Sequence, residues 1–175
     1  MAQQSISGTT LRGKAHEDGA GGITVPGYAV RFAGAILALA VTTVHVADQG
    51  GVTVLNSPDW IGWGYRLIEV GGVLTALVLL LPRPTRLVTA RLVPAWAGWA
   101  AGVLLGVGPF VAYVASRTVG VPGDPGDVGN WGYWVGTVSL LVEAALVTLS
   151  VSMLLALSER TVGGVLRDLA GRARR

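Results

Sequence analysis

The sequence predicts an all-α protein: a four-transmembrane-helix bundle with both termini in the cytoplasm. Hydrophobic residues make up 51% of the 175 residues and charged residues only 13%, whereas an ordinary soluble domain is roughly a quarter charged. Four apolar segments reach the length of about 20 residues that a helix needs to cross a bilayer. Basic and acidic connections alternate between them. A chain with so few charges cannot cover itself with a water-facing surface, so its expected partner is the lipid bilayer.

The boundaries of the apolar segments predict three regions. Residues 1–26 are rich in Gly, Ser, Thr and Gln and predict a disordered cytoplasmic leader. Residues 27–157 form the transmembrane domain, and residues 158–175 form a basic amphipathic cytoplasmic tail. The predicted spans are about 28–47, 61–81, 93–115 and 133–157.

The distribution of basic residues predicts the orientation. Apart from Arg66 and Arg117, every Lys and Arg lies in the leader, at the entry of the first span, in residues 82–92 or in the tail. The first connection has two acids and no base. By the positive-inside rule, both termini and the 82–92 connection are cytoplasmic, and the other two connections are outside. The expected location is the plasma membrane, with a multi-pass topology.

The tail has two interpretations. Val162, Val165, Leu166 and Leu169 recur at helical intervals among arginines, a pattern typical of a short helix that lies on the inner, anionic leaflet. Alternatively, the tail is a polar segment that only helps to determine the topology.

Small residues predict where the spans pack together. Helices in lipid approach most closely at Gly, Ala, Ser and Thr, and Gly98, Gly102 and Gly106 form two consecutive G-x-x-x-G steps in the third span. The other spans carry small and polar residues on one face each. These are Gly34, Ala38, Thr42, His45 and Asp48 in the first; Arg66, Glu69, Gly72 and Ala76 in the second; and Gly136, Ser139, Glu143 and Ser150 in the fourth.

Ionisable side chains on these faces are the candidate ligand- or proton-binding residues. Each residue of a helix adds about 1.5 Å, so Glu69 lies roughly 12 Å and Glu143 roughly 15 Å from the outer end of its span. An ionisable group at the centre of a spanning helix costs about 2.5–3.5 kcal/mol on insertion scales, and it is by default a candidate functional residue. Glu143 is the strongest candidate. The full set is Glu143, Glu69, Arg66, Arg117, His45 and Asp48.

Three interpretations of these charges remain open. In the first, Arg66 pairs with Glu69, and Arg117 pairs with Glu143 or Asp48, so that buried pairs set the register of the helices. In the second, an outward-opening polar pocket binds a cation, a proton or a small polar ligand at Glu143 or Glu69. In the third, the cluster is an active site.

Several classes of site and function are not expected. Cysteine is absent from the sequence, which excludes disulfides, thiolate metal sites and Cys nucleophiles. His45 has only His16 in the leader as a second histidine, and the two would lie on opposite sides of the membrane, so no haem, other cofactor or metal site is predicted. No hydrolase elbow, zinc-protease helix or phosphate-binding loop occurs. The basic residues are distributed over several segments on the predicted cytoplasmic side rather than forming one patch, so a nucleic acid is not an expected partner.

The connection before the fourth span carries the most distinctive motif, a Ser-Arg-Thr-x-Gly-x-Pro segment. In it the sequence resembles a group of uncharacterised bacterial four-helix membrane proteins, common in high-GC genomes, whose loop reads Ser-Arg-Thr-x-Gly-Leu-Pro before a span with a central Glu. Val121 stands where Leu is usual, and this loop also has Asp124 and Asp127. The resemblance covers the loop and the fourth span, and it implies the fold but no activity. The matching residues are Ser116, Arg117, Thr118, Gly120, Pro122 and Glu143.

The same connection allows two structural interpretations. Its glycines and prolines favour tight turns, so it can form a compact cap over the mouth of the bundle that brings Arg117 back toward the acids. It can also be an ordinary exterior turn.

Together these features predict a non-enzymatic integral membrane protein, an accessory or ligand-binding component with a polar cluster in its outer half. Its expected partners are lipid and a second membrane protein or another copy of the chain. The alternative is a small proton- or cation-coupled transporter or channel that uses Glu143 and Glu69.

Overall fold

The protein is a bundle of four long helices. The computed structural model describes residues 25–54, 59–81 and 93–173, and it contains no β-strand in these ranges. The predicted all-α four-helix fold is confirmed. Its helices are α1 (Val25–Gln49), α2 (Asp59–Leu80), α3 (Ala97–Thr118) and α4 (Trp134–Ala173), and a 3-10 turn covers Pro125–Asp127.

Each of the four helices is long enough and apolar enough to cross a membrane. Large apolar side chains point away from the bundle on every helix, among them Phe32, Leu67, Leu104 and Leu141. Such a surface requires lipid rather than water around it, and the chain is therefore a multi-pass membrane protein. The predicted leader up to residue 24 and the 82–92 connection lie outside the described residues.

Backbone chemistry explains where α1 begins and ends. The helix starts three residues earlier than predicted, at Val25, because Pro26 suits a first turn, in which no backbone N–H donor is needed. It ends before Gly50 and Gly51, whose φ angles are 90° and 123°. Glycine adopts this left-handed region without the steric cost of a Cβ, and the Gly51 N–H donates to the Val46 carbonyl at 2.9 Å.

The fourth helix is much longer than the predicted span. It runs unbroken for 40 residues, from Trp134 to Ala173, with no proline to interrupt it. At 1.5 Å per residue its length is about 60 Å, about twice the thickness of the hydrocarbon core. Most of the predicted tail is thus a continuation of the last spanning helix rather than a separate helix.

The helices form a ring in the order α1, α2, α3, α4, in which each packs against its two neighbours. Helices α2 and α3 are the least closely packed neighbours, and an apolar groove of about 680 Å³ lies between them. The interior is filled mainly by small and branched side chains and by one tryptophan. The buried apolar residues are Ala35, Ala38, Val41, Ala76, Leu79, Trp99, Leu105 and Leu146.

Glycines allow the closest helix contacts. Trp99 of α3 is only 1% exposed, and a Cβ on Gly34 of α1 would lie 2.8 Å from its ring. The predicted G-x-x-x-G stripe faces two neighbours. A Cβ on Gly98 would lie 2.9 Å from Leu79 in α2, whereas Gly102 and Gly106 lie against α4. These glycines hold α3 close to both neighbouring helices.

Substitution of Gly106 tests this packing. A Cβ there would lie 2.6 Å from Val147 Cγ2 and 2.9 Å from the Glu143 carbonyl oxygen, so Gly106→Ala should lower the free energy of unfolding by about 1–3 kcal/mol. Gly108→Ala in the same helix is the matched control, because a Cβ there meets nothing within 4 Å. Unfolding in mixed detergent micelles measures both. Equal stabilities of the two variants would contradict the packing described.

Candidate functional site

Buried ionisable side chains collect at one end of the bundle. We call this end, which carries residues 50–54 and 119–133, the polar end. Among the described residues, Arg31 is a buried ionisable side chain at the opposite end, where its Nη2 donates to the Leu81 carbonyl at 2.6 Å. All six residues predicted as ligand- or proton-binding candidates lie toward the polar end. Together with three side chains that contact them, they form the polar cluster: His45, Asp48, Tyr65, Arg66, Glu69, Arg117, Tyr133, Ser139 and Glu143.

Asp48 joins α1 to α2 and to the residue before α4 at the mouth of the cluster. Its Oδ2 accepts a hydrogen bond from the Tyr65 hydroxyl at 2.5 Å, and its Oδ1 accepts one from the Tyr133 hydroxyl at 2.6 Å. Tyr65 belongs to α2, and Tyr133 directly precedes α4. The hydrogen bond to Asp48, with a smaller effect of burial, raises the pKa of Tyr133 to about 12. Tyr133 therefore acts as a neutral donor, and together with Tyr65 it holds the Asp48 side chain.

The predicted pair between Arg66 and Glu69 is confirmed. The guanidinium Nη1 contacts Glu69 Oε2, and Nη2 donates to the Val54 carbonyl in the connection after α1. Glu69 is buried, and its other oxygen, Oε1, has no hydrogen-bond partner among the described residues. Arg66 thus neutralises Glu69 and connects α2 to the segment after α1. Glu69 Oε1 does not take part in these contacts.

Glu143 is the most buried side chain of the cluster, at 1% exposed. Its Oε1 accepts a hydrogen bond from Ser139 Oγ at 2.5 Å and lies 3.7 Å from His45 Nε2 of α1. Its Oε2 is buried without a partner in the described part of the chain. Ser139 lies one turn earlier on α4, on the face that the sequence predicts for Glu143, and is therefore its partner within the same helix.

The expected pairing of Arg117 with Glu143 or Asp48 is also wrong. Arg117 pairs instead with Asp127 of the connection between α3 and α4. Its guanidinium carbon lies 4.6 Å from the centre of the Tyr113 ring and 6.0 Å from that of Tyr133. These are cation–π distances. Arg117 is held at the surface of the cluster by the connection rather than reaching inward.

The connection folds back over the end of α3, which explains this choice of partner. Gly120 has a φ of 79° and turns the chain immediately after the helix. The Gly129 N–H then donates to the Arg117 carbonyl at 2.9 Å, which places Asp127 beside the Arg117 side chain. The connection is therefore folded tightly against the end of α3, and it supplies its own acid to Arg117 instead of bringing Arg117 to the acids of the other helices.

His45 was placed with Asp48 by its helical spacing, but its nearest charged partner comes from another helix. Its Nδ1 lies 2.9 Å from the Val41 carbonyl, and its ring centre lies 5.7 Å from that of Tyr65. No signal in the sequence pairs His45 with Glu143, since they are 98 positions apart by number. Nor does helical spacing connect Tyr65 or Tyr133 with Asp48, since the three residues lie in different elements. Within the described ranges, no group of three or more His, Asp or Glu is arranged to hold a metal ion.

Asp127→Asn tests the pairing of Arg117. The change removes the charge that faces a 5% exposed guanidinium, and leaving a buried charged donor unsatisfied costs about 1–3 kcal/mol of folding free energy. Asp124→Asn in the same connection is the matched control and should be nearly neutral. Unfolding of both variants in detergent gives the comparison. A larger loss of stability in Asp124→Asn than in Asp127→Asn would contradict the pairing of Arg117 with Asp127.

Tyr133→Phe tests the support of Asp48. It removes a hydrogen bond to a carboxylate, and such bonds contribute about 1.5–3 kcal/mol. The pKa of Tyr133 is about 12 in the folded protein, above the ordinary value of about 10. The hydrogen bond therefore stabilises the fold fully at a pH below the ordinary pKa. This stabilisation is lost as the pH rises through the pKa of the folded protein. The difference in free energy of unfolding between the wild type and Tyr133→Phe should therefore become smaller as the pH rises. Tyr28→Phe, at an exposed tyrosine, should show no such difference.

Comparisons of the chain with protein-family models, with curated proteins and with solved structures find no match. The function of the polar cluster is therefore inferred from its own contacts and charges.

Proposed function

We propose that this chain is a non-enzymatic membrane component that binds an exchangeable proton between His45 and Glu143. The observation that carries the proposal is the position of these two side chains, which face each other across α1 and α4 inside the bundle at 3.7 Å. An accessory or ligand-binding protein of the plasma membrane is the class of function that this site supports best.

The hydrogen bonds of His45 determine how the pair must be protonated. A backbone carbonyl can only accept, so the contact of Nδ1 with the Val41 carbonyl assigns a hydrogen to Nδ1. In a neutral imidazole, Nε2 is then an acceptor. It faces Glu143 Oε1, which is also an acceptor when the carboxyl is ionised. Two acceptors at this distance repel each other, so one proton belongs to the pair, on either the ring or the carboxyl.

The surroundings of Glu143 favour a proton over a larger ligand. Oε1 already lies against Ser139 and His45, and Oε2 is buried without a partner among the described residues. A buried carboxylate oxygen without a donor is costly. A proton neutralises the carboxyl and requires no cavity.

Each neighbouring element also carries charged or titratable groups toward the polar end, and their charges influence the protonation of the pair. Asp48 is on the same helix as His45, and the Asp48 carboxylate has tyrosine donors rather than a basic partner. The remaining groups are Tyr65, Arg66 and Glu69 from α2, Tyr113 and Arg117 from α3, and Tyr133 before α4.

Access to the pair is one-sided, which favours binding over passage. The titratable residues lead from Glu143 toward the polar end, through His45 and Asp48. In the opposite direction, the side chains one turn from His45 and from Glu143 include the apolar Val41 and Leu146, which are 1% and 0% exposed. We propose, from the distribution of basic residues, that the polar end faces the exterior and both termini face the cytoplasm.

The alternative function is a small proton- or cation-coupled transporter or channel. The observation in its favour is that Glu69 Oε1 is a second buried carboxylate oxygen without a partner in the described residues. Two such acids at similar depth are suited to passing a proton or cation between them.

Infrared difference spectra of the lipid-reconstituted protein, recorded across a pH titration, test the proposal. A protonated carboxyl in the bundle should give a C=O band that Glu143→Gln removes. Glu159→Gln, at an exposed acid of the same helix, is the matched control and should keep the band. His45→Gln should shift the pH at which the band disappears. If the band survives in Glu143→Gln, Glu143 does not hold the proton.

Proton and cation flux into proteoliposomes separates the two functions. The binding proposal expects no flux above that of empty liposomes, while the Glu143 band still titrates. A flux that Glu143→Gln abolishes, with folding retained, would support the transporter or channel instead.

A further inference from the structure

The C-terminal part of α4 extends well beyond the bundle. The helix is about 60 Å long, whereas the hydrocarbon core is about 30 Å thick. Trp134 begins the helix at the polar end, so the excess length lies at the other end. Leu157 is still packed against the core, and residues 158–162 after it are exposed. Residues 158–173 therefore form an extension of α4 past the bundle.

This extension carries apolar side chains that the bundle leaves exposed. Val162, Leu166 and Leu169 are 58%, 60% and 57% exposed. They are spaced by four and three residues, so they share one face of the helix. Burying a leucine side chain contributes about 1.5–3 kcal/mol. The face therefore gains stability from any apolar surface that covers it.

The charge of this segment indicates which surface covers the apolar face. Residues 158–175 contain five arginines and only two acids, Glu159 and Asp168. Each basic residue close to an anionic leaflet contributes about 1 kcal/mol of attraction. An apolar face on a basic helix directly beside a spanning segment fits the headgroup region of an anionic membrane.

A pair of glycines allows the extension to reach that surface. Gly163 and Gly164 lie just past the exit from the bundle, and a Cβ on either would meet nothing within 4 Å. Both positions therefore have room for a Cβ, so a close approach of a neighbour does not require glycine there. Each costs about 1 kcal/mol of helix stability relative to alanine, and consecutive flexible residues are where helices bend sharply. A straight α4 holds residues 165–173 away from the lipid, whereas a bend at this pair lays them on it.

We propose that residues 165–173 dock on an anionic lipid surface by bending at Gly163–Gly164, with Leu166 and Leu169 inserted among the headgroups. The bend converts the end of a spanning helix into an interfacial helix. This docking is independent of the proton site at the polar end.

A spin label at position 169 reports the docking in the full chain. The protein has no cysteine, so Leu169→Cys carries a single label. In vesicles of phosphatidylcholine mixed with phosphatidylserine, the label should be accessible to oxygen and protected from a water-soluble nickel chelate. In phosphatidylcholine alone the protection should largely disappear. Arg172→Gln should reduce the ratio of docked to undocked helix about fivefold, from the loss of roughly 1 kcal/mol of attraction.

The hinge is tested with alanines in the same labelled chain. Gly163→Ala with Gly164→Ala should keep α4 straight and abolish the protection in phosphatidylserine vesicles. Gly171→Ala is the matched control, because a Cβ there also meets nothing within 4 Å, and it should leave the protection unchanged. Equal exposure of the label in both lipids would overturn the proposal. Dipolar broadening between labels in both lipids would also overturn it and assign the apolar face to a second copy of the chain.

Discussion

A buried charge in a membrane protein must find its partner inside the protein, because lipid tails offer none. The polar end of this bundle is arranged by that requirement. Arg66 neutralises Glu69, Asp127 neutralises Arg117, and two tyrosines hold Asp48. Glu69 Oε1 and Glu143 Oε2 remain without a partner among the described residues, and at Glu143 we propose that a proton satisfies the site. Structure and proposed function thus follow from one constraint.

Close packing of the backbones makes these contacts possible. Gly106 brings α3 against the backbone of α4 at Glu143 itself, and Gly72 brings α2 against α1 near Thr42. Thr42 Oγ1 in turn lies 3.3 Å from the Glu69 carbonyl. The small residues of each helix therefore do more than fill space, since they set the distances between acids and their donors. A looser bundle would separate His45 from Glu143.

Tyr133 links the connection after α3 to the interior. Its hydroxyl holds Asp48, while its ring lies near the Arg117 guanidinium that Asp127 neutralises. A change in the connection therefore reaches Asp48 through one side chain, and Asp48 lies one turn from His45. Aromatic residues at a membrane boundary are often interfacial anchors, but here one of them is a structural member of the polar cluster.

The sequence by itself determined the four apolar helices, the small-residue faces and the pair of Arg66 with Glu69, because these depend on local periodicity and on spacing within one helix. The contact of His45 with Glu143, the tyrosine donors of Asp48 and the pairing of Arg117 with Asp127 were decided only by the tertiary structure. Each joins residues from different elements, so it depends on how the helices are rotated and how the connection folds back. Helical spacing carries no information about either. Helix α4 is also longer than the span predicted from the sequence. Apolar composition marks only the part of a helix inside the membrane, whereas the backbone hydrogen bonds of the helix continue beyond the membrane surface.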